Sequence, residues 1–141
     1  DYRDCFGCGE DNGAGLGIVD VRRDGSVVRA TFRPGPQHQG FRGTVHGGIV
    51  AAALDEIMSY ACVLIGGHWS ATIRAELRFR HPVRVGTSYA LEGRLERHRP
   101  GATRFRAAGR LTLPDGTVVA EANATFVAAA DELLGGVQPI H

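Results

Sequence analysis

Residues 45–65 read VHGGIVAAALDEIMSYACVLI, and this segment is the strongest indication of the fold. Four polar side chains interrupt the otherwise apolar run from Ile49 to Ile65: Asp55, Glu56, Ser59 and Tyr60. A run of this length that is rich in Ala and free of Gly and Pro predicts a helix. Because the run is apolar nearly all round, the helix is expected to be buried. We expect a central helix over residues 47–66, ended by a left-handed residue in the pair Gly66-Gly67.

Two adjacent acids, Asp55 and Glu56, lie in the middle of this predicted helix. A carboxylate that is removed from water becomes a better base or nucleophile than a solvated one, provided that a neighbouring group stabilises its charged form. Adjacent helical residues point about 100° apart, so only one of the two acids faces a given pocket. We predict that Asp55 is the functional acid and that Glu56 meets an Arg side chain or a subunit interface.

The composition predicts one domain and excludes several classes of partner. The chain has 141 residues, of which 43% are hydrophobic, and this is enough for a single domain over residues 1–141. Sixteen basic residues balance 15 acidic ones, so the net charge of +1 does not predict nucleic acid or a membrane surface as a partner. All the basic residues are Arg, which excludes a catalytic lysine. The longest apolar run is shorter than the roughly 20 residues of a membrane span.

Three cysteines, Cys5, Cys8 and Cys62, give no disulfide framework and predict a reducing, cytoplasmic location. Cys5 and Cys8 have the spacing of half a zinc site, but a structural zinc site needs four ligands and no second pair completes it. We therefore expect this pair to pack within a Gly-rich lead-in loop over residues 1–15. The sequence predicts neither a metal nor a cofactor.

Alternating apolar and polar residues predict strands on both sides of the helix. Two strands are predicted before it, at residues 16–22 and 26–32, and four after it, at 72–79, 88–98, 103–113 and 118–127. In the first three strands after the helix, apolar residues occupy the odd positions, whereas Arg and Glu occupy most of the even ones. The order predicts an α+β fold in which one curved antiparallel sheet wraps one long central helix.

The spacing of His46 and Asp55 bears on the oligomeric state. Nine helical positions separate them by about 13.5 Å along the axis, so they cannot meet one substrate atom within a single chain. An antiparallel helix from a second subunit would bring the acid of one chain beside the helix start of the other, which predicts a homodimer. At that helix start, the backbone N–H groups of Gly47 and Gly48 are expected to be free to hold a carbonyl oxygen that becomes negative.

Three segments resemble a known family. The block His46-Gly47-Gly48, followed after five residues by Leu54-Asp55, resembles the active-site helix of the hotdog-fold acyl-CoA thioesterases, in their PaaI-like and THEM-type branch. The lead-in, CFGCGEDNGAGL at residues 5–16, is similar to the pattern C-x-x-C-G-x-x-N-P-x-G-L of that branch, with Gly13 in place of Pro. Residues 71–83 resemble the first strand after the helix in this family. The resemblance therefore implies the hotdog fold and hydrolysis of an acyl-CoA thioester.

The resemblance also assigns roles to residues. It implies that Asp55 is the nucleophile or general base and that the Gly47 N–H polarises the thioester carbonyl across a dimer interface. His46 would support this loop, and Thr72 would orient water or Asp55. Thr72 has the outward parity of its strand, so this role requires a β-bulge. Further residues are predicted to bind the substrate: Gly48, Gln39 and Met58.

Two other functions stay open at this level. One is a hotdog dehydratase or hydratase acting on a 3-hydroxyacyl thioester, which needs a His positioned as a base. The other is a non-catalytic acyl-CoA-binding hotdog domain. Three Arg residues near a strand end are candidates for contact with the phosphates of coenzyme A: Arg78, Arg80 and Arg84. The predicted assembly is a homodimer or a dimer of dimers.

Overall fold

One antiparallel sheet wraps one helix in the computed structural model, which describes residues 2–7, 9 and 11–129. The strands are β1 (Val19–Asp24), β2 (Val27–Phe32), β3 (Ser70–Phe79), β4 (Tyr89–Leu95), β5 (Arg104–Thr112) and β6 (Val118–Ala128), and the helix is α1 (Gly47–Leu64). The predicted α+β architecture is confirmed. The remainder of the predicted domain, including Cys8 of the lead-in pair and residues 130–141, lies outside the described residues.

The six strands pair in the order β1-β2-β4-β5-β6-β3, and all pairs are antiparallel. The strand that follows the helix, β3, therefore crosses to the far edge of the sheet. Within the described part of the chain, the second side of β3 is not paired. This free edge is ten residues long, and its inner-face residues include Ala75, Leu77 and Phe79.

The helix α1 starts as predicted but ends at Leu64, two residues before the predicted end at residue 66. The reason is a change in hydrogen bonding: the Gly66 N–H donates to the carbonyl of Ala61, five residues back. The chain then reverses at Gly67, which has φ +79°, so the left-handed residue expected at the end is present. In addition, the Arg23 guanidinium of β1 donates to the Leu64 carbonyl at 3.0 Å and caps the last turn.

The helix lies on the inner face of the sheet, where two glycines allow its close approach. Gly93 of β4 and Gly109 of β5 are directly opposite each other. A Cβ at Gly93 would lie 2.6 Å from the Ile57 carbonyl oxygen, and one at Gly109 would lie 3.1 Å from Met58 Cγ. The backbone of α1 therefore sits closest to the sheet at residues 57–58, halfway along the helix.

The apolar character of α1 fits either a membrane-spanning helix or the core helix of a globular protein. By its length of 18 residues and its mean hydropathy of 1.5, α1 meets the criteria for a membrane-spanning helix, which the core helix of a globular protein also meets. Half of α1 is buried within this chain, against β2 to β6. Packing within the chain accounts for the nine buried residues of the helix.

Candidate active site

The start of α1 is organised by His46. Its imidazole Nδ1 accepts the Gly48 N–H at 2.9 Å, and its carbonyl accepts the Ile49 N–H at 2.9 Å. His46 is therefore the N-cap of the helix. The Gly47 N–H makes no hydrogen bond within the described residues. Of the two glycine amides that were predicted to be free, only Gly47 keeps its hydrogen available for a ligand, because the cap takes that of Gly48.

The loop before the helix is held by its own backbone and by Gln39. The Gln39 side-chain oxygen accepts the Gly43 N–H at 2.8 Å, and the Gly40 N–H donates to the Thr44 carbonyl. Gly43 has φ +74°, which this turn requires. The predicted substrate-binding oxygen of Gln39 thus has a structural role in the loop.

A cleft of about 700 Å³ opens at this end of the molecule. His46 and Gly47 lie on its wall, with the buried side chains of Val45, Val50 and Val83. Two aromatic side chains also line it: Phe41, which is 85% exposed, and Phe79, which is 56% exposed. The cleft is therefore a mainly apolar groove that ends at the amide of Gly47.

Asp55 lies two turns further along α1 and contacts Thr72 of β3. The Thr72 hydroxyl donates to Asp55 Oδ1 at 2.5 Å. The register of β3 against β6 shifts between Thr72 and Arg74, so Ile73 is an extra residue in a bulge. Thr72 stands opposite the buried Phe126 and Arg74 opposite Thr125. The bulge that the predicted role of Thr72 requires is present, and it turns the hydroxyl to the inner face.

Cys62 is a third reactive group on this part of α1, and its burial makes it inert. Desolvation raises the pKa of the Cys62 thiol to about 12, against a lowering contribution from a hydrogen bond with Ser70. The charge of Asp55 raises this pKa further. The thiol therefore stays protonated at neutral pH, which excludes it as the nucleophile.

The candidate residues fall into two groups within one chain. His46, Gly47, Gly48 and Gln39 lie at or before the helix start. Asp55, seven or more residues further along, forms a separate pair with Thr72 of β3. Met58 joins neither group. It is 1% exposed and packs beside Gly109 in the core, because its helix face points into the sheet. Met58 does not line the cleft of this chain, and its contact with the substrate stays a prediction.

The neighbouring acid Glu56 faces the lead-in loop. A Cβ at Gly7 would lie 2.2 Å from Glu56 Oε2, so the carboxylate rests directly against the backbone of the loop. Asp55 and Glu56 therefore point in different directions, as the 100° step of a helix requires. Cys5 is half-buried in the same loop. Among the described residues, no cluster of three metal-binding side chains occurs.

One buried residue near this site, His38, is not predicted by the sequence pattern. His38 is 2% exposed, and both of its ring nitrogens make hydrogen bonds. It lies between Pro36 and Gly40 in a segment with no periodic pattern, so no feature of the sequence marked it as buried. Burial of a loop side chain depends on the path of the loop, which local spacing does not encode.

The chain is similar to proteins of the thioesterase class. The family model described as the thioesterase superfamily matches residues 42–99, which contain α1 and β3. No curated protein matches the chain. Among solved structures, a thioesterase superfamily protein is 26% identical with a TM-score of 0.78 over 89% of this chain. This chain spans only 60% of that protein's length.

A putative thioesterase from Ralstonia eutropha, described as phenylacetic acid degradation-related, is 27% identical with a TM-score of 0.67. That match covers 80% of this chain and 86% of the other. The PaaI protein of E. coli, from its phenylacetic acid degradation operon, has the same fold at 20% identity, with a TM-score of 0.69 over 79% and 83% of the two chains.

A hypothetical thioesterase from Streptococcus pneumoniae, solved with coenzyme A, shares the fold at 19% identity, with a TM-score of 0.66 over 80% of this chain and 87% of the other. The match of residues 42–99 and these structures agree with the sheet and helix described above. The resemblance seen in the sequence is thereby confirmed: the chain has the hotdog fold of the thioesterase superfamily, and its structural neighbours are PaaI-like thioesterases.

Proposed function

We propose that this protein hydrolyses an acyl-CoA thioester to the free acid and coenzyme A. The related proteins support an enzyme of thioesterase type. The acyl-CoA substrate and the catalytic roles of individual residues are our proposal. The observation that carries it is the contact between the Thr72 hydroxyl and Asp55 Oδ1 at 2.5 Å. The bulge at Ile73 turns Thr72 towards Asp55. Both Thr72 and Ile73 are exposed, so the bulge does not serve the packing of the apolar core.

Asp55 is the proposed nucleophile or general base. The Thr72 hydroxyl donates to Oδ1, which fixes the carboxylate and leaves Oδ2 for chemistry. As a base, Asp55 takes a proton from water while the water oxygen attacks the thioester carbon. As a nucleophile, its oxygen attacks that carbon directly, and water then cleaves the resulting anhydride. In the first case the C–S bond breaks and Asp55 returns its proton to the leaving sulfur. In the second the thiolate leaves as the anhydride forms and takes a proton from solvent, and water then regenerates the carboxylate.

The Gly47 N–H is the proposed donor to the oxygen that becomes negative during attack. It is the available amide at the start of α1, where the helix dipole favours negative charge. Removal of one such donor in other enzymes costs on the order of 3 kcal/mol of transition-state stabilisation. The Gly48 N–H supports this role indirectly, because its bond to His46 Nδ1 fixes the first turn.

Both groups serve one substrate only if a second copy of the chain supplies one of them. Eight helical positions separate Gly47 from Asp55, which is about 12 Å along the axis. The free edge of β3 and its exposed inner-face residues Ala75 and Phe79 support pairing with a second β3. In the proposed dimer, Asp55 and Thr72 of one chain meet the helix start of the other.

Acyl-CoA is the proposed substrate class because of the shape of the cleft and the pneumococcal structure, which contains coenzyme A. The apolar walls of the cleft suit an acyl or pantetheine chain. Arg80 also lines the cleft, although Glu121 binds its guanidinium at 2.6 Å. Arg84 donates to Thr44 near the same opening at 3.1 Å.

The dehydratase alternative is less well supported. Its chemistry needs a His that acts as a base, but His46 Nδ1 accepts the Gly48 N–H as a helix cap. Nδ1 of the His46 ring therefore holds the helix start. This favours a role for His46 in supporting the amide that polarises the carbonyl over a role as a base. The non-catalytic alternative gives no reason for the bulge that turns Thr72 to Asp55.

The test is release of free thiol from short, long, branched and aromatic acyl-CoAs by the native protein and two variants. Asp55→Asn and Glu56→Gln each remove one carboxylate from adjacent helical positions. We expect Asp55→Asn to lower kcat by about 10³-fold and Glu56→Gln to have a far smaller effect. Circular dichroism checks that both variants are folded. Full turnover by Asp55→Asn contradicts the assignment, and a native protein that binds acyl-CoA without releasing thiol is a binding domain.

A further inference from the structure

His38 is a buried titratable residue that the proposed chemistry does not use. Among the described residues, it is the only histidine or charged side chain that is fully buried. Its ring packs against Phe32 at the end of β2, with centroids 5.8 Å apart. A buried imidazole must have both nitrogens satisfied, so its hydrogen-bond partners identify what it holds in place.

The two ring nitrogens of His38 bind two different segments. Nδ1 accepts the Gly35 N–H at 3.0 Å, which closes the turn over residues 35–38. An accepting Nδ1 leaves the proton on Nε2, and Nε2 donates to the Gly15 carbonyl at 2.8 Å. Gly15 is the last residue of the lead-in loop and precedes the buried Leu16. The neutral ring therefore ties the lead-in loop to the loop before α1.

The backbone of His38 extends this connection to the helix start. Its carbonyl accepts the His46 N–H at 2.9 Å. His46 in turn caps α1 through Nδ1 and through its own carbonyl. The continuous path is Gly15 to His38 to His46 to the free amide of Gly47.

We propose that His38 is a positioning residue that fixes the direction of the Gly47 N–H and makes it depend on the docking of the lead-in loop. This inference rests on the proposed function where it concerns catalysis. Displacing the Gly47 amide by a fraction of an ångström weakens its bond to the developing oxyanion more than its contact with the ground state. The loss is therefore expected in kcat, whereas KM changes little.

Two variants of His38 separate its two hydrogen bonds. The amide of the His38→Asn variant lies where Nδ1 was, so it can still accept from Gly35 but cannot reach Gly15. The longer His38→Gln variant can still donate to Gly15 and loses the acceptor for Gly35. We expect His38→Asn to lower kcat by about 10- to 100-fold with little change in KM. Hydrogen exchange is expected to rise in residues 11–16 and in residues 44–50, and His38→Gln should leave exchange in residues 11–16 unchanged.

A matched pair in the lead-in loop tests the same path without touching His38. A Cβ at Gly9 would lie 2.3 Å from the Arg3 carbonyl oxygen, whereas one at Gly13 would meet nothing within 4 Å. Gly9→Ala should displace the loop, lower kcat and raise exchange in residues 44–50, and Gly13→Ala should do none of these. This pair also keeps the inference testable if the His38 variants do not fold.

The results distinguish this inference from the proposed function. If the native protein releases no thiol, the proposed function fails, and hydrogen exchange still reports whether His38 couples the two segments. If the native protein is active and Asp55→Asn is not, a normal kcat for His38→Asn and Gly9→Ala overturns the inference alone. Faster exchange confined to residues 11–16 overturns it as well, because the helix start would then be independent of the lead-in loop.

Discussion

At the scale of single residues, the direction of Thr72 is the most informative feature of the site. Strand alternation alone points this side chain outward, and the extra residue Ile73 reverses it. The side chain is nonetheless exposed in a single chain, so it contributes little to the packing of the core. A polar contact that is built by a bulge and buries little surface is typical of a functional position.

We predict that Thr72→Val lowers kcat by about 10- to 100-fold, because a hydrogen bond to a charged group contributes roughly 1.5–3 kcal/mol. Thr72→Ser keeps the hydroxyl and should retain most of the activity. Steady-state kinetics measure both effects, and circular dichroism checks that both variants are folded. Equal kcat values for Val and Ser at this position would show that the hydroxyl has no role.

At the scale of elements, two contacts decide how the helix and the sheet fit together. On the inner face, Gly93 and Gly109 lie beneath α1 and leave room for its backbone. On the outer face, Glu92 of β4 binds Arg29 of β2 at 2.9 Å, Arg110 of β5 at 3.0 Å, and Arg94 of its own strand. The two glycines therefore set the distance between helix and sheet, and the Glu92 ion pairs join strands β2, β4 and β5.

We predict that Gly93→Ala destabilises the fold by about 1–3 kcal/mol, because its methyl group meets the rigid carbonyl of Ile57. Gly109→Ala should cost less, since the atom it meets belongs to the flexible Met58 side chain. Gly13→Ala is the control, with open space around its methyl group. Chemical denaturation measures the free energy of unfolding, and equal effects of Gly93→Ala and Gly13→Ala would contradict the close approach of α1.

Arg110 and Arg94 give Glu92 a pH-dependent effect on stability. Burial alone would raise its pKa, but hydrogen bonds and charge from Arg110 and Arg94 lower it from 4.5 to about 2. Because the folded pKa is lower than the unfolded one, the stabilisation is present above about pH 4.5 and disappears as the pH falls towards 2.

We predict that Glu92→Gln is less stable than the native protein by about 1–2 kcal/mol at pH 7. The difference should shrink towards zero between pH 4.5 and pH 2, because the native carboxyl is then protonated. Urea unfolding of both proteins across this range measures the difference. A constant difference at all pH values would mean that the effect is due to shape and not to charge.

At the scale of the whole molecule, the free edge of β3 connects the fold to the proposed activity. Ala75 has the parity of the inner face and stands opposite the buried Ala124, yet it is exposed in a single chain. An exposed inner-face residue on an unpaired strand supports the proposal that a second chain covers this surface. In the proposed dimer, the same pairing would bring the Asp55 of one chain towards the helix start of the other.

We predict that the native protein has a solution mass of two or four times 15.0 kDa and that Ala75→Glu is monomeric and inactive. A buried, unpaired carboxylate at the new interface causes the dissociation. Thr125→Glu adds the same charge to the adjacent strand on the outer face and should keep both the dimer and the activity. Light scattering and thiol release measure these outcomes, and an active monomer of either the native protein or Ala75→Glu would exclude a site shared between chains.

Much of this protein follows from the sequence alone, because the deciding signals are local. The apolar run from Ile49 predicts the helix, and the alternation of apolar and polar residues predicts the strands and their inner face. The position of Asp55 in the middle of the apolar helix predicts a functional acid. The two glycines beneath the helix also have the inner-face parity, so they could have predicted where α1 lies closest. These features depend on residues a few positions apart, whose geometry is nearly fixed by the backbone.

The tertiary structure alone decided the details that make the site specific. The bulge at Ile73 depends on the register of β3 against β6, which forms between residues some 50 positions apart in sequence. The capture of the Gly48 N–H by His46, the burial of Met58 against the sheet and the burial of His38 depend on the path of a loop and on the packing of two layers. Contacts between residues distant in sequence set these positions, and no local pattern encodes them.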